Sequence, residues 1–252
     1  MLTLGSDTVC IFLARTGRIN DPELLAAYRS VLSPEEIRKV DRYRFEKDRK
    51  LSLVARALLR YLLSEYTGRD PASFAFVTNA YGKPALAPGQ PVPDLRFNLS
   101  HSSGAVACGL ALGRDIGVDV ESPDRKIDTG ISDRFFSPHE AGQVSSCPES
   151  ERHRRFFDIW TLKEAYIKAR GKGLSIPLDS FSFDLDRPEI SIRFHGEPGS
   201  DEAEDSDSSG WRFFRWRPDA GLTLAACVQS RGDIMFRAFD CVPFQALGPG
   251  SG

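Results

Sequence analysis

The sequence predicts an α/β protein of the α+β type, in which two similar halves each pack a small antiparallel sheet against helices. Three observations predict this fold. The chain has 252 residues, 41% hydrophobic and 27% charged, which is typical of a globular protein with one large or two modest domains. The same order of helix and strand patterns occurs twice along the chain. Each copy begins with a Ser-Pro helix start, which is a strong N-terminal signal.

The first copy defines an N-terminal half, residues 1–112. Its helix start has Ser33 as the N-cap, Pro34 at the first helical position and Glu36 as an acid in the first turn. A long helical pattern follows to about Tyr66. The later strand-like and apolar segments of this half are residues 73–76, 95–98 and 105–112.

The second copy defines a C-terminal half, residues 113–252. Ser137, Pro138 and Glu140 repeat the helix start, and a helical pattern continues to about Ala169. The strand-like segments that follow are residues 180–183, 211–214 and 222–228. The alternative to a true repeat is chance recurrence of common cap and strand patterns.

Two segments of the C-terminal half are expected to be without fixed structure. Residues 196–210 carry six acids, no base and almost no apolar side chain, which predicts a disordered insertion. Residues 248–252 consist of small residues and Pro, which predicts a flexible tail.

Charge and cysteine patterns limit the classes of function. The formal net charge is −2, but residues 38–60 concentrate nine Lys and Arg against three acids. One basic stretch without a recognised binding motif predicts no nucleic-acid partner. No segment approaches the ~20 apolar residues of a membrane helix, so no membrane association is expected. The five scattered cysteines, without a C-x-x-C pair, predict reduced thiols in a cytoplasmic protein.

Two acids lie on one face of a predicted strand. Residues 116–121 alternate strictly, so Asp119 and Glu121 share a face opposite Ile116, Val118 and Val120. Same-face neighbours lie about 7 Å apart, close enough to share one hard cation. The alternative is a half-exposed edge strand whose acidic face is solvated.

A third acid lies on the apolar side of a predicted helix. Over residues 154–169, a stripe at helical spacing surrounds Glu164, and Lys168 lies one turn further on. The stripe consists of Phe156, Phe157, Trp160 and Ile167. A carboxylate on a buried face is usually paired or binds metal. The alternative is a Glu-to-Lys pair on a solvated surface.

Two further segments carry groups that could contact phosphate. Residues 97–104 run from a strand end into small hydroxyl residues and His101, whose ring can donate to phosphate oxygens as serine hydroxyls do. Residues 81–84 form a turn that presents Lys83. A structural or surface role for either segment remains an alternative.

Three segments together resemble the signature of the 4′-phosphopantetheinyl transferases. They are Ile116–Glu121 (IGVDVE), residues 134–140 (RFFSPHE) and residues 160–169 (WTLKEAYIKA). Their order and spacing resemble the larger, single-chain pseudodimeric class, the Sfp type, over roughly residues 32–228. The resemblance implies a monomeric pseudodimer with its active site in the cleft between the halves.

The resemblance implies a reaction and its components. The family moves the 4′-phosphopantetheine arm of coenzyme A to a serine of an acyl, peptidyl or aryl carrier protein and releases 3′,5′-ADP. The implied cofactor is magnesium, or alternatively manganese, and coenzyme A is the co-substrate. Asp119, Glu121 and Glu164 match the metal ligands. The residues that match coenzyme A contacts are Lys39, Ser52, Arg56, Lys83, Ser100, His101 and Lys168.

The resemblance leaves the proton acceptor open. Either Glu164 or Glu140 could accept the proton of the carrier serine, and Lys168 is the expected catalytic cation at the phosphate. The chain departs from some members at Glu36, where they carry a lysine. This departure leaves 3′-phosphate binding to Lys39, Ser52 and Arg56.

Two other functions fit the same residues. A magnesium-dependent nucleotide phosphohydrolase could also use three acids, a lysine and a histidine. A non-catalytic module could bind coenzyme A or a carrier without turnover, although such a module has no need of Asp119, Glu121, Glu164 and Lys168 together.

Overall fold

The computed structural model describes residues 4–92, 94–124, 127–185, 189–195 and 207–245. The strands in chain order are β1 (Thr8–Arg15), β2 (Phe76–Thr78), β3 (Pro84–Leu86), β4 (Leu95–Ser102), β5 (Ala105–Leu112), β6 (Ile116–Glu121), β7 (Phe181–Asp184), β8 (Ser191–Phe194), β9 (Trp211–Asp219), β10 (Leu222–Gln229) and β11 (Met235–Asp240). The helices are α1 (Pro22–Ser30), α2 (Pro34–Asp41), α3 (Glu46–Thr67), α4 (Ser132–Phe135), α5 (Pro138–Ser146) and α6 (Glu149–Arg170). The chain is therefore of the mixed α/β class that the sequence predicts.

The chain divides into two compact units. The first comprises the described residues of Met1–Gly113 and Met235–Gly252, and the second those of Arg114–Ile234. The sequence interpretation placed the whole of residues 113–252 in one half. The structure differs at β11, because this strand pairs along its length with β1 of the first unit.

The first unit is built on a four-stranded sheet in the order β11-β1-β5-β4. β1 is buried along nearly its whole length because it is a central strand, and its sequence is correspondingly apolar on both faces. It pairs antiparallel with β5 but parallel with β11, so the sheet is mixed rather than wholly antiparallel as expected. Helix α3 covers this sheet and contributes much of the hydrophobic core.

The second unit is built on a three-stranded antiparallel sheet in the order β6-β10-β9. Helix α6 packs against β6 and β10, and the β7–β8 hairpin adds a second, smaller sheet. The core between helix and sheet contains Tyr166, Phe181, Ala225 and Cys227. The sheet and α6 together position the predicted acids.

Both units contain the same helix arrangement. Helices α2 and α5 each begin with a complete capping box, formed by Ser33 with Glu36 and by Ser137 with Glu140. Helices α3 and α6 each span 22 residues and end at a glycine in the left-handed conformation. This recurrence extends the repeat seen in the sequence.

Each capping-box glutamate also reaches a cation on the long helix of its own unit. Glu36 pairs with Arg60 at 2.7 Å, and Glu140 pairs with Lys163 at 2.7 Å. Arg60 and Lys163 each lie fourteen residues after the first residue of their helix, as the helix bounds show. The two units thus share a capping-box glutamate that pairs with a cation at the same position of the long helix.

The expected insertion and tail lie mostly outside the described residues. Residues 196–206 and 248–252 belong to that undescribed part. Residues 207–210 are described and ordered, which corrects the end of the expected insertion. Asp207 accepts a hydrogen bond from the Ser209 amide at 2.9 Å and pairs with Arg231 at 2.9 Å, and these contacts hold a short 3-10 helix.

All five cysteines are free thiols, as the sequence predicts. In the described ranges, no helix has the length and apolar character that crossing a membrane would need.

Candidate active site

Strand β6 and helix α6 approach closely at Gly117. A Cβ placed on Gly117 would lie 1.9 Å from the Ala165 carbonyl oxygen and 2.4 Å from the Ala169 amide nitrogen. Only glycine permits this backbone contact, and an isolated glycine inside a strand pattern is the sequence signal for it. Gly117 therefore fixes the distance between the strand and the helix that carry the predicted acids.

We expect Gly117→Ala to damage both stability and activity. The added methyl would force β6 away from α6, which costs about 1–3 kcal/mol of unfolding free energy, as overpacked cores do. Displacement of the acids by about 1 Å should also lower the activity of a site built on them roughly a hundredfold. Urea unfolding and transfer rates measure the two effects.

Gly142→Ala is the matched control for this change. Gly142 lies in α5 with nothing within 4 Å of the added Cβ, so alanine should be neutral or stabilising there. A Gly117→Ala protein as stable and active as Gly142→Ala would contradict the role assigned to this contact.

The two faces of β6 divide as predicted. Ile116, Val118 and Val120 are fully or almost fully buried on one face. Asp119, on the other face, is only 4% exposed even though β6 is an edge strand. The alternative of a solvated acidic face is therefore wrong for Asp119.

Lys168 of α6 binds Asp119 of β6. Lys168 Nζ lies 2.6 Å from Asp119 Oδ1, so the ammonium and the carboxylate form a short, partly buried, charge-assisted hydrogen bond. The sequence alternatives paired Lys168 with Glu164 or with a ligand phosphate. The structure pairs it with Asp119, because the close packing of α6 on β6 brings the two side chains together.

Glu164 lies within the electrostatic field of the same groups. Burial is the main cause that raises its pKa, the charge of Asp119 adds to the rise, Lys168 opposes it, and Glu121 adds a smaller rise. Glu164 is half-buried, whereas the neighbouring Lys163 is fully buried. The predicted single apolar stripe was thus too narrow, because α6 is buried on several sides between residues 156 and 169.

We call Asp119, Glu121, Glu164 and Lys168 the acid cluster. In the described part of the chain, no three His, Cys, Asp or Glu side chains already have their ligand atoms arranged to hold a metal ion. Lys168 Nζ instead supplies the positive charge at Asp119 Oδ1. The cluster combines neighbouring acids that raise the pKa of Glu164 with the ammonium group of Lys168, which is an arrangement typical of functional sites.

Glu140 lies in a different environment. It is fully buried, and its Oε2 accepts from the Ser137 amide and hydroxyl and from Lys163 Nζ at 2.7 Å. Its Oε1 accepts from the Phe183 amide at 2.9 Å. Both oxygens of Glu140 are therefore occupied by protein donors.

Lys163 completes this buried pair. Its ammonium also donates to the carbonyl oxygens of Leu178 at 2.7 Å and Phe181 at 2.6 Å, and it lies over the Phe181 ring. Burial lowers the pKa of Lys163, while Glu140 opposes that change. The pair ties α5, α6 and the start of β7 together, which is a structural arrangement.

The predicted coenzyme A contacts lie in the first unit, apart from Lys168. Ser52 on α3 is buried, and its hydroxyl accepts a 2.7 Å hydrogen bond from Arg56 one turn on. Lys39 on α2 is exposed and forms a 2.8 Å pair with Glu35. Lys83 lies in the turn between β2 and β3. Arg60 binds the carboxylate of Glu36, which explains why this chain has an acid where some family members have a lysine.

Ser100 and His101 lie within strand β4, although the sequence indicated that this strand ends before them. Strand β4 pairs with β5 as far as Ser102, around a two-residue turn at Ser103 and Gly104 with positive φ at both. Consecutive strand residues point to opposite faces, so Ser100 is buried and His101 is exposed. The structure therefore does not bring these two side chains to one face.

Comparison with known proteins identifies the family of the chain. A family model described as the 4′-phosphopantetheinyl transferase superfamily matches residues 115–227. A second, described as the N-terminal part of 4′-phosphopantetheinyl transferase, matches residues 20–110. The chain belongs to the 4′-phosphopantetheinyl transferase superfamily.

Two relatives support the assignment over most of the chain. It is 33% identical to the 4′-phosphopantetheinyl transferase Sfp of Bacillus subtilis, over 80% of this chain and 84% of that protein. It is 30% identical to the 4′-phosphopantetheinyl transferase HetI of Nostoc sp., over 92% of each. A crystal structure of holo-[acyl-carrier-protein] synthase from Thermotoga maritima is 18% identical, with a TM-score of 0.37, over 47% of this chain and 64% of that one.

The family matches follow the two units of this transferase. The superfamily match falls within the second unit, which carries the acid cluster, and the N-terminal match falls within the first. Thr223 lies opposite Glu121 in the sheet and was not among the residues predicted for the site. Its only sequence signal is a single hydroxyl residue within an otherwise apolar strand.

Proposed function

We propose that this phosphopantetheinyl transferase moves the 4′-phosphopantetheine arm of coenzyme A to the serine of an acyl, peptidyl or aryl carrier protein, in a magnesium-dependent reaction that releases 3′,5′-ADP. The acid cluster is the observation that carries this proposal. It places a lysine within 2.6 Å of a buried aspartate, beside a glutamate with a raised pKa. Membership of the family supports transfer from coenzyme A to a carrier.

The acid cluster has the donor chemistry for a hard divalent cation, although its carboxylates are not arranged around one point in the described structure. Asp119, Glu121 and Glu164 offer only carboxylate oxygens, which magnesium and manganese prefer. Burial raises the pKa of Glu164, and the charges of Asp119 and Glu121 add to the rise, so the ionised cluster is costly and a cation would relieve that cost. When bound, the cation would neutralise charge on the phosphate oxygens. We assign these three residues as its ligands.

The side chains of the cluster have separate tasks in the transfer. The serine oxygen of the carrier forms a bond to the phosphorus that bears the pantetheine arm, and the bond from that phosphorus to the 3′,5′-ADP oxygen breaks. Lys168 neutralises phosphate charge as the bond breaks. Glu164 accepts the serine proton, because its half-buried carboxylate lies in the same cluster as Asp119 and Lys168.

Glu140 is not assigned to the proton transfer. A base needs an oxygen within hydrogen-bond distance of the proton that it accepts. Both oxygens of Glu140 are held by buried donors, and the residue is 0% exposed. We therefore propose that Glu140 stabilises the second unit and that Glu164 is the base.

The first unit is proposed to hold coenzyme A. Arg56 and Ser52 form a preorganised donor pair on α3, and a guanidinium can bind a phosphate through two hydrogen bonds. Lys39 and Lys83 add flexible charges from α2 and the β2–β3 turn. We also propose that Ser100 and His101 contact coenzyme A, Ser100 from one face of β4 and His101 from the other.

The same groups could serve hydrolysis, so the test must separate transfer from hydrolysis. Coenzyme A is incubated with the protein and MgCl2, with and without an apo carrier protein, and 3′,5′-ADP is quantified by chromatography. We expect 3′,5′-ADP to form only with the carrier and in equal amount to the modified carrier. Release of 3′,5′-ADP without a carrier would favour a phosphohydrolase.

A further inference from the structure

Thr223 on β10 carries a buried hydroxyl that the rest of the described structure leaves unused. The residue is 1% exposed, and its Oγ1 has no hydrogen-bond partner among the described residues. A buried hydroxyl without a partner costs free energy, and native proteins keep few of them. A buried, unpaired hydroxyl within the largely apolar strand Leu222–Gln229 therefore suggests a function for Thr223.

The sheet register places Thr223 beside the acid cluster. Thr223 lies directly opposite Glu121, and Ala225 lies directly opposite Asp119, in the antiparallel β10–β6 pair. Directly opposite residues project to the same face, with Cβ atoms about 4.5–5.5 Å apart. Asp119 on that face already binds Lys168 of α6. The hydroxyl of Thr223 is thus on the acid face, within reach of the Glu121 side chain.

In β9, the other strand that pairs with β10, no residue is paired with Thr223. Leu222 pairs with Asp219 and Leu224 with Trp216, so β9 has one residue more than β10 at this point. The irregularity includes Pro218, which has no amide hydrogen to donate. Bulges of this kind redirect side chains and are frequent next to active sites.

We propose that Thr223 is a positioning residue for Glu121, to whose carboxylate its hydroxyl donates a hydrogen bond when that carboxylate binds the divalent cation. The inference rests on the proposed function, because it requires the metal role of Glu121. A neutral donor orients a ligating carboxylate without removing its negative charge. Loss of such an outer hydrogen bond typically weakens metal binding about 10- to 100-fold.

Two substitutions separate the hydroxyl from the shape of the side chain. Thr223→Val keeps the volume and the branched shape but removes the hydroxyl, whereas Thr223→Ser keeps the hydroxyl. Binding of MnCl2 to each protein, with and without coenzyme A, is followed by the electron paramagnetic resonance of free Mn²⁺. Urea unfolding of the metal-free proteins is measured in parallel.

We expect Thr223→Val to weaken Mn²⁺ binding at least about tenfold. Thr223→Ser should bind Mn²⁺ within about threefold of the unaltered protein. The metal-free Thr223→Val protein should be at least as stable as the unaltered protein, because no hydrogen bond is lost in that state.

Each contrary result has a distinct meaning. Unchanged Mn²⁺ binding by Thr223→Val overturns the positioning role. Metal-free Thr223→Val unfolding at a lower urea concentration than Thr223→Ser would show a structural hydroxyl and overturn it as well. If the unaltered protein binds no Mn²⁺ with or without coenzyme A, the proposed metal site itself fails, and the inference fails with it.

Discussion

Replacing Asp119 with asparagine should abolish most phosphopantetheine transfer while leaving the protein folded. Asparagine keeps the shape of the side chain and an oxygen that can accept from Lys168, but it removes the charge that the cation and Lys168 require. A bound cation stabilises the transition state by several kcal/mol, so transfer should fall by roughly 10²- to 10⁴-fold. Glu164→Gln should cause a loss of the same order, because it removes both a metal ligand and the proposed base.

Asp115→Asn is the matched control for charge. Asp115 is exposed and immediately precedes β6, so the same loss of one charge near the same strand should leave the transfer rate within about twofold. Rates are measured at several MgCl2 concentrations with a saturating apo carrier. Unimpaired transfer by Asp119→Asn at saturating MgCl2 would remove Asp119 from the proposed metal site.

Breaking the buried pair of Glu140 and Lys163 should cause the largest loss of stability. Lys163→Met leaves the Glu140 carboxylate buried without its cation, and loss of one partner of a buried ion pair costs about 3–5 kcal/mol. Glu140→Gln should be similarly costly, because it strands the Lys163 ammonium against two carbonyl groups. The double variant should lose less stability than the sum of the two single variants, since no unpaired charge remains.

The corresponding pair of the first unit provides the comparison. Glu36→Gln should cost less than Glu140→Gln, because the Glu36 side chain is 16% exposed and that of Glu140 is 0% exposed. Chemical denaturation gives the stabilities, and transfer is measured where each variant remains folded. Folded Glu140→Gln protein should transfer within a few-fold of the unaltered rate. A folded but inactive Glu140→Gln, with an active Glu164→Gln, would reverse the assignment of the base.

The local features of the site could be predicted from the sequence. Period-two alternation placed Asp119 and Glu121 on one face of β6, and Ser-Pro starts predicted α2 and α5 with their caps. These features depend on residues close together in the chain. Backbone geometry within one element is enough to produce them.

The contacts between elements could not be predicted in the same way. The partner of Lys168 depends on how closely α6 lies on β6, which Gly117 determines through contacts with residues about fifty positions away. Glu140 remained a possible base in the sequence interpretation, because the sequence does not show that Lys163 binds its carboxylate. The sequence did not indicate that residues 235–240 belong with the first unit, because the pairing of β11 with β1 joins opposite ends of the chain.

The most direct test of the account is the intact mass of an apo carrier protein after incubation with this transferase, coenzyme A and MgCl2, compared with a sample containing EDTA. We expect a gain of one phosphopantetheine group on the carrier serine, which EDTA prevents and Asp119→Asn fails to produce. An unmodified mass across acyl, peptidyl and aryl carriers, while coenzyme A remains bound to the protein, would contradict it.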